Sequence, residues 1–259
     1  WESPEFIGTV ASPALYLGVP KDSDKFKDFD AFVAYAKANP GKVNVGQIGQ
    51  TGIHQVMNLR MMKKFGYKVQ PVPFDGGPPT VAAILGGHVD AGFTDNFNPA
   101  LRPLFLAGDS NPNYPGVKTL TDMGHGDIAM GLYYFIGAPK GTPKDILQKL
   151  EAAFEKAMKD PKYLEVIQSL KWSAQWRDAA ATHKAIADEA MAVKQLLDEG
   201  LLTRAESRDR REPPVPPLTG GAGGSYRPFR RRLWIHEKIC CVIAFSVCAS
   251  CFSAWCFLS

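Results

Sequence analysis

The chain has 259 residues, with 30 Lys and Arg against 26 Asp and Glu and five cysteines. This length allows one large or two modest domains with a hydrophobic core. The positive excess lies in residues 202–259, which hold nine basic and four acidic side chains, whereas residues 1–201 hold 21 and 22. Because residues 1–201 are nearly neutral, they lack the positive charge typical of nucleic-acid-binding proteins, and we expect no nucleic-acid partner.

Residue usage also changes near position 202. Residues 1–201 contain 18 Lys, three Arg and no cysteine, whereas the tail contains eight Arg, one Lys and all the cysteines. A cysteine-free body is typical of exported bacterial proteins. We predict that residues 202–259 are a disordered Pro/Gly/Arg-rich segment followed by a Cys-rich apolar one, non-native or out of frame. A membrane span at residues 239–259 is the alternative.

Residues 13–130 alternate between strand and helix patterns. Apolar runs predict strands at residues 13–19, 42–46, 67–73 and 88–93. Helical spacing predicts a helix from Phe29 to a stop at residues 39–41, and further helices at about residues 52–64 and 80–85. Such short connections between strands and helices predict an α/β lobe with a mainly parallel sheet and right-handed crossovers.

The second half is predicted to be mostly helical. A strand at residues 131–138 precedes a helix with Thr142 as N-cap and Pro143 at its first position. Asp160 followed by Pro161 repeats this signal, and a last amphipathic helix ends before Gly200. We interpret these as packing helices.

A glycine-rich turn, GQIGQTG at residues 46–52, joins a predicted strand to a predicted helix. Such a turn exposes backbone N–H groups at the positive end of the helix dipole and favours a bound anion. A nucleotide is disfavoured, because neither the Walker nor the GxGxxG spacing is present. A small carboxylate fits better, since Gln50, Thr51 and His54 can add hydrogen bonds. The alternative is that Gly46 and Gly49 only permit the turn and His54 caps it.

Two further turns, at residues 74–77 and 94–96, follow the next predicted strands. Ligands gather at the carboxyl edge of an open parallel sheet, so three polar turns there indicate a binding site. A hydrolase using His54 with Asp75 or Asp95 stays an alternative, although none of these turns holds a serine or cysteine nucleophile. We predict no catalytic residue, no metal and no cofactor.

Several sequence strings resemble the Bug/TctC family, the extracytoplasmic solute-binding proteins of tripartite tricarboxylate transporters. The most specific are Val72-Pro73-Phe74 with Gly76, Leu85-Gly86-Gly87 with Val89-Asp90, and Ala138-Pro139 with Gly141-Thr142-Pro143. The resemblance covers residues 6–201. It implies a periplasmic binding protein of the type II, Venus-flytrap kind, which binds a small organic carboxylate as a monomer and delivers it to membrane permease subunits.

The resemblance also implies a division of the chain and a set of ligand-binding residues. Residues 13–130 form a complete second lobe, and residues 1–12 and 131–201 form part of the first lobe with the C-terminal helices. The implied ligand-binding residues are Gly46, Gln47, Gly49, Gln50, Thr51, His54, Phe74, Gly76, Thr94 and Asp95.

The sequence departs from the family pattern in three places. Gln47 and Gln50 stand where the family has small or hydroxyl residues, and Asp75 stands where a cation is frequent. The family also implies a signal peptide and the first lobe's carboxylate-binding turn upstream of Trp1. The effector-binding half of a LysR-type regulator shares the flytrap plan and is the competing interpretation; it requires a helix-turn-helix upstream.

We expect residues 1–201 alone to bind carboxylates weakly, because half a clamp leaves the ligand uncovered. The extended chain, defined as this chain preceded by the implied upstream portion, should bind at micromolar levels or tighter, on the order of −8 kcal/mol. Calorimetry on both proteins checks this expectation, and equal affinities would contradict the two-lobe interpretation.

Overall fold

Two β-sheets with helices packed against them make up the described part of the chain. The computed structural model describes residues 4–202 and 242–244. The strands are β1 (Glu5–Ala11), β2 (Tyr16–Pro20), β3 (Asn44–Ile48), β4 (Gln70–Phe74), β5 (Ala91–Thr94), β6 (Leu101–Leu106), β7 (Tyr134–Ala138) and β8 (Val242–Ala244). The helices are α1 (Phe29–Ala38), α2 (Ile53–Phe65), α3 (Gly77–Leu85), α4 (Lys144–Ala157), α5 (Pro161–Ser169) and α6 (Ala179–Asp198). The predicted α/β class is confirmed.

Local sequence signals explain where several helices begin and end. The Asp28 carboxylate caps α1 by accepting a hydrogen bond from the Ala31 amide. The Asp160 carboxylate caps α5 in the same way through the Lys162 amide. Gly66 ends α2 in the left-handed conformation, with φ of 67°, which a residue without Cβ adopts most easily.

The start of α4 differs from the prediction by one position. The N-cap position is occupied by Pro143 instead of Thr142, and the helix begins at Lys144. The Thr142 hydroxyl donates a hydrogen bond to the Pro139 carbonyl at 2.7 Å. The hydroxyl therefore closes the preceding turn instead of capping the helix.

The larger sheet is mixed, whereas the sequence predicts a mainly parallel one. Its strand order is β4-β3-β5-β2-β6. β3 runs parallel to both β4 and β5, but β2 is antiparallel to β5 and to β6. Because β2 is buried along almost its whole length, its apolar run indicates a central strand without revealing its direction.

Sequence patterns alone do not reveal β1 and β6. β6 contains Pro103, which cannot donate a hydrogen bond to a sheet and reads as a strand breaker. The structure places β6 at the edge of the sheet, where a proline is tolerated.

The smaller sheet joins β1, β7 and β8 in antiparallel register. β8, at Val242–Ala244, lies within the tail that the sequence predicts to be disordered. Leu202, also assigned to the tail, is buried in the hydrophobic core.

The rest of the predicted tail, residues 203–241 and 245–259, lies outside the described residues. Most of the alternative membrane span at residues 239–259 falls there. Within residues 4–202 and 242–244, the structure has no helix with the length and apolar character needed to cross a bilayer.

The last helix, α6, contacts both halves of the structure. Near its start, the Thr182 hydroxyl lies 3.0 Å from the Thr9 hydroxyl of β1. Near its end, Leu196 is buried in the same core cluster as the larger sheet and α2. A single helix thus ties the two sheets together, and the predicted lobe boundaries stay a prediction.

We predict that Leu196→Ala destabilises the protein by about 2–5 kcal/mol, because it removes buried methyl groups and leaves a cavity. Met191→Ala on the same helix is the control; Met191 is 63% exposed, so its truncation should change stability by less than about 0.5 kcal/mol. Urea unfolding of both variants measures the difference, and similar losses would contradict the packing of α6 against the larger sheet.

Candidate functional site

Two helices begin at the carboxyl edge of the larger sheet, each directly after one of two paired parallel strands. α2 follows β3, α3 follows β4, and the parallel register pairs Ile48 with Phe74 at the ends of these strands. The N-cap residues are Gly52 and Gly76, and neither helix has a side-chain capping hydrogen bond. Backbone N–H groups at the start of α2 are donors suited to an anion, whereas Pro78 and Pro79 carry no N–H and leave the first turn of α3 with the N–H of Gly77.

The turn between β3 and α2 is braced from inside. Gly49 has φ of 70°, and its N–H donates to the Phe74 carbonyl at 3.0 Å. The Gln47 amide nitrogen donates to the Gly49 carbonyl at 3.0 Å, and its oxygen accepts from the Asn58 side chain at 3.4 Å. The Gln47 side-chain amide therefore stabilises the shape of the turn. Its predicted contact with a ligand stays a prediction.

Gly46 serves packing and not turn conformation. It lies within β3, and a Cβ there would come 3.3 Å from the Phe74 ring and 3.3 Å from Val89. The glycine lets the Phe74 ring and α3 approach the strand closely. This departs from the interpretation that Gly46 permits the turn.

His54 and Asp95 form the polar centre of this edge. His54 Nε2 lies 4.0 Å from Asp95 Oδ1, too far for a hydrogen bond, and has no hydrogen-bond partner among the described residues. Burial lowers the pKa of His54 to about 4, so the imidazole is neutral at pH 7. Burial also raises the pKa of Asp95 above its ordinary value.

Asn96 is a site residue that the sequence alone did not single out. Its side-chain nitrogen donates to Asp95 Oδ1 at 3.0 Å, and its carbonyl accepts from the Tyr16 hydroxyl at 2.6 Å. Its N–H donates to the Thr94 hydroxyl at 3.2 Å, so the Thr94 side chain is engaged inside the turn. The position of Asn96 directly after Asp95 was the available signal.

The smaller sheet contributes an aromatic wall near this edge. The Tyr134 ring, at the start of β7, stacks on Trp172 with a centroid distance of 4.8 Å and an angle of 20°. Burial and then the negative charge of Asp95 raise the pKa of Tyr134. Asp95 therefore lies close enough to Tyr134, the first residue of β7, for its charge to affect the Tyr134 hydroxyl.

The remaining predicted site residues divide by exposure. Gln50 is exposed and Thr51 is partly buried at the surface of the first turn, and Gly76 is partly buried in the second. Asp75 is exposed, and the carboxylate near His54 is that of Asp95. For the hydrolase alternative, the structure thus favours a His54/Asp95 pair over His54/Asp75.

A separate cavity of about 740 Å³ lies away from this edge. It is bordered by residues 108–110, 119–131 and one face of α6, and none of the ten predicted ligand-binding residues lines it. Glu189 lines this cavity, and burial raises its pKa to about 8. Sequence patterns gave no signal for this cavity, because the loops within residues 108–131 and α6 meet only in the folded chain.

We predict that His54 makes stability depend on pH between about 4 and 6.5. The unfolded chain protonates His54 near its ordinary pKa of about 6.5, whereas the folded protein does so only near 4. The unfolded state binds more protons in this window, so this contribution is full above pH 6.5 and is lost as pH falls towards 4, by about 3 kcal/mol.

The measurement is urea unfolding from pH 4 to 7 for the original protein, His54→Gln and the control His88→Gln, which changes an exposed histidine. Relative to the original protein, only His54→Gln should remove the loss of stability that His54 causes as the pH falls from 6.5 to 4. Parallel pH profiles for all three proteins would contradict burial of a neutral His54.

Comparison with known proteins agrees with this architecture. A family model described as "Tripartite tricarboxylate transporter family receptor" matches residues 4–202. The UPF0065 protein in the gbd 5′ region of Cupriavidus necator is 32% identical over 209 residues, covering 78% of this chain and 63% of that protein. A UPF0065 protein of Pseudomonas is 29% identical over 64% of this chain and 52% of its own length. The chain thus spans about half to two thirds of these curated relatives.

Solved structures show the same fold. A TctC solute-binding protein from Polaromonas has a TM-score of 0.65 and 21% identity, over 75% of this chain and 69% of that chain. An R. palustris protein solved with adipate has a TM-score of 0.59 and 18% identity, over 76% and 68%. The predicted periplasmic-binding-protein-like fold and the Bug/TctC resemblance are confirmed. With its family model matched from residue 4 to residue 202, the chain belongs to the tripartite tricarboxylate transporter receptor family.

Proposed function

We propose that this chain is part of a periplasmic receptor that binds a small organic carboxylate and delivers it to the membrane permease subunits of a tripartite transporter. The observation that carries the proposal is that α2 and α3 both begin without side-chain caps at the carboxyl edge of the larger sheet, in a chain of this receptor family. The receptor works as a monomer without a cofactor or a catalytic step.

The chemistry of the edge supports a carboxylate as ligand. The N–H groups at the start of α2, the Gly77 N–H at the start of α3 and the positive ends of the two helix dipoles complement a small anion without a metal ion or an arginine clamp. The R. palustris protein of the same fold was solved with adipate, a dicarboxylate. The aromatic wall pairs Tyr134, at the start of β7, with Trp172, and Tyr134 lies near enough to Asp95 for that charge to raise its pKa, so the wall supplies an apolar surface beside the proposed site.

Binding is better supported than hydrolysis. A general base works best when its pKa lies near the working pH, and burial lowers that of His54 to about 4. The three turns also contain no serine or cysteine. The family match favours the receptor over a LysR-type regulator.

Introducing charge at Gln50, the exposed side chain of the first turn, tests the site. We first screen the extended chain against citrate, malate, succinate, adipate, aspartate and glutamate for a thermal upshift. For the acid with the largest shift, Gln50→Glu should weaken binding about fivefold, since like charges several ångströms apart near a protein surface cost about 1 kcal/mol. Gln50→Lys should strengthen binding by a similar factor, and calorimetry measures both.

Gln148→Glu provides the matched control, because α4 packs against the smaller sheet. It should leave the affinity unchanged, and added salt should shrink the effects at Gln50. Equal weakening by both Glu variants would show a net-charge effect and contradict the placement of the site. The absence of a thermal upshift with every acid would contradict the proposed function itself.

A further inference from the structure

The Asp95 carboxylate lies between the starts of α2 and α3. On one side, Asp95 Oδ1 is 4.0 Å from Nε2 of His54, the second residue of α2. On the other side, Asp95 Oδ1 accepts a hydrogen bond from Asn96, whose side chain lies against Gly77, the first residue of α3. A Cβ on Gly77 would come 1.8 Å from the Asn96 side-chain nitrogen, so this contact is close. An acidic group thus lies where the ligand's carboxylate is proposed to bind.

Within the part of the chain that the structure describes, no lysine or arginine forms an ion pair with Asp95. The neighbouring His54 is buried and neutral at pH 7. An ionised carboxylate has about four acceptor positions, and the Asn96 side chain fills one of them. Asp95 therefore has acceptor capacity left for a donor from outside the chain.

A bound carboxylate and Asp95 would repel each other in a partly dehydrated site unless a hydrogen-bond donor lay between them. The described edge supplies backbone donors for one anion and an acidic acceptor beside it. The ligand that satisfies both parts carries a carboxylate and, on the adjacent carbon, a hydroxyl or ammonium group. A site that offers an acceptor to such a donor disfavours the analogue that lacks it, because the acceptor is then left unpaired.

We propose that Asp95 is a specificity-determining residue that accepts a hydrogen bond from a hydroxyl or ammonium group next to the ligand's bound carboxylate. The receptor then prefers 2-hydroxy or 2-amino acids over unsubstituted acids of the same length. This inference rests on the proposed function and names the ligand class of the same site.

Three four-carbon diacids that differ only at one carbon test the inference. Succinate carries hydrogen there, malate a hydroxyl and aspartate an ammonium group. In calorimetry with the extended chain, malate or aspartate should bind at least about tenfold more tightly than succinate, which corresponds to about 1.4 kcal/mol. Glutarate, 2-hydroxyglutarate and glutamate repeat the comparison for a longer ligand.

Substitution of Asp95 separates its acceptor from its charge. Asp95→Ala should lower the tenfold preference to about threefold or less. Asp95→Asn keeps an acceptor oxygen without the charge and nearly the same shape, so it guards against misfolding of the alanine variant. If Asp95→Asn still binds malate more tightly than succinate, the donor is a hydroxyl group, for which a neutral acceptor suffices. If Asp95→Asn no longer binds aspartate more tightly than succinate, the donor is an ammonium group, which needs the negative charge. Either result supports the inference.

Asp75→Ala is the matched control, since Asp75 is an exposed acid in the neighbouring turn. It should leave the preference unchanged. Succinate binding as tightly as malate and aspartate, a preference that survives Asp95→Ala, or an equal loss in Asp75→Ala would each overturn the inference. These results leave carboxylate binding intact, whereas failure of every acid to bind would instead reject the proposed function.

Discussion

Parallel pairing of β3 with both β4 and β5 is the interaction on which the candidate site depends. It aligns Ile48 with Phe74 and Gly46 with Gly92, so three turns leave the sheet at the same edge. Gly92 allows α3 to pack directly against these strands. A Cβ at this position would come 2.6 Å from Ile84 of α3 and would push the helix away. If the strands slipped in register, the two helix starts would no longer lie beside Asp95.

The electrostatics of the edge are unusual for an anion site. The proposed donors are main-chain N–H groups, mainly at the start of α2, the histidine is neutral because it is buried, and the acidic side chain is Asp95. Main-chain donors have fixed positions, so such a site selects by shape and by the pattern of donors and acceptors more than by net charge. For the proposed receptor, the lack of a strong ion pair with the ligand would favour its release to the transporter.

Much of the fold follows from local signals. The spacing of Phe29, Phe32 and Ala36 and the glycine at position 66 locate α1 and the end of α2. The direction of β2, the edge strand β6 with its proline and the strand β8 did not follow, because they depend on which segments meet across the sheet. The family resemblance assigned Gln47 to the ligand, and only the structure shows that its amide also braces the turn, because the contacts of a side chain do not follow from its position in a sequence.

The sequence by itself determined the α/β class, the three turns and the family resemblance, because glycine positions, apolar periods and cap residues act over a few neighbouring residues. Only the tertiary structure decided that His54 lies near Asp95 and not near Asp75, that Asn96 joins Asp95 to α3, and that α6 contacts both sheets. These contacts join residues distant in sequence, and their burial sets the protonation of His54. Local sequence propensities cannot predict such contacts, since the contacts arise from strand order and packing.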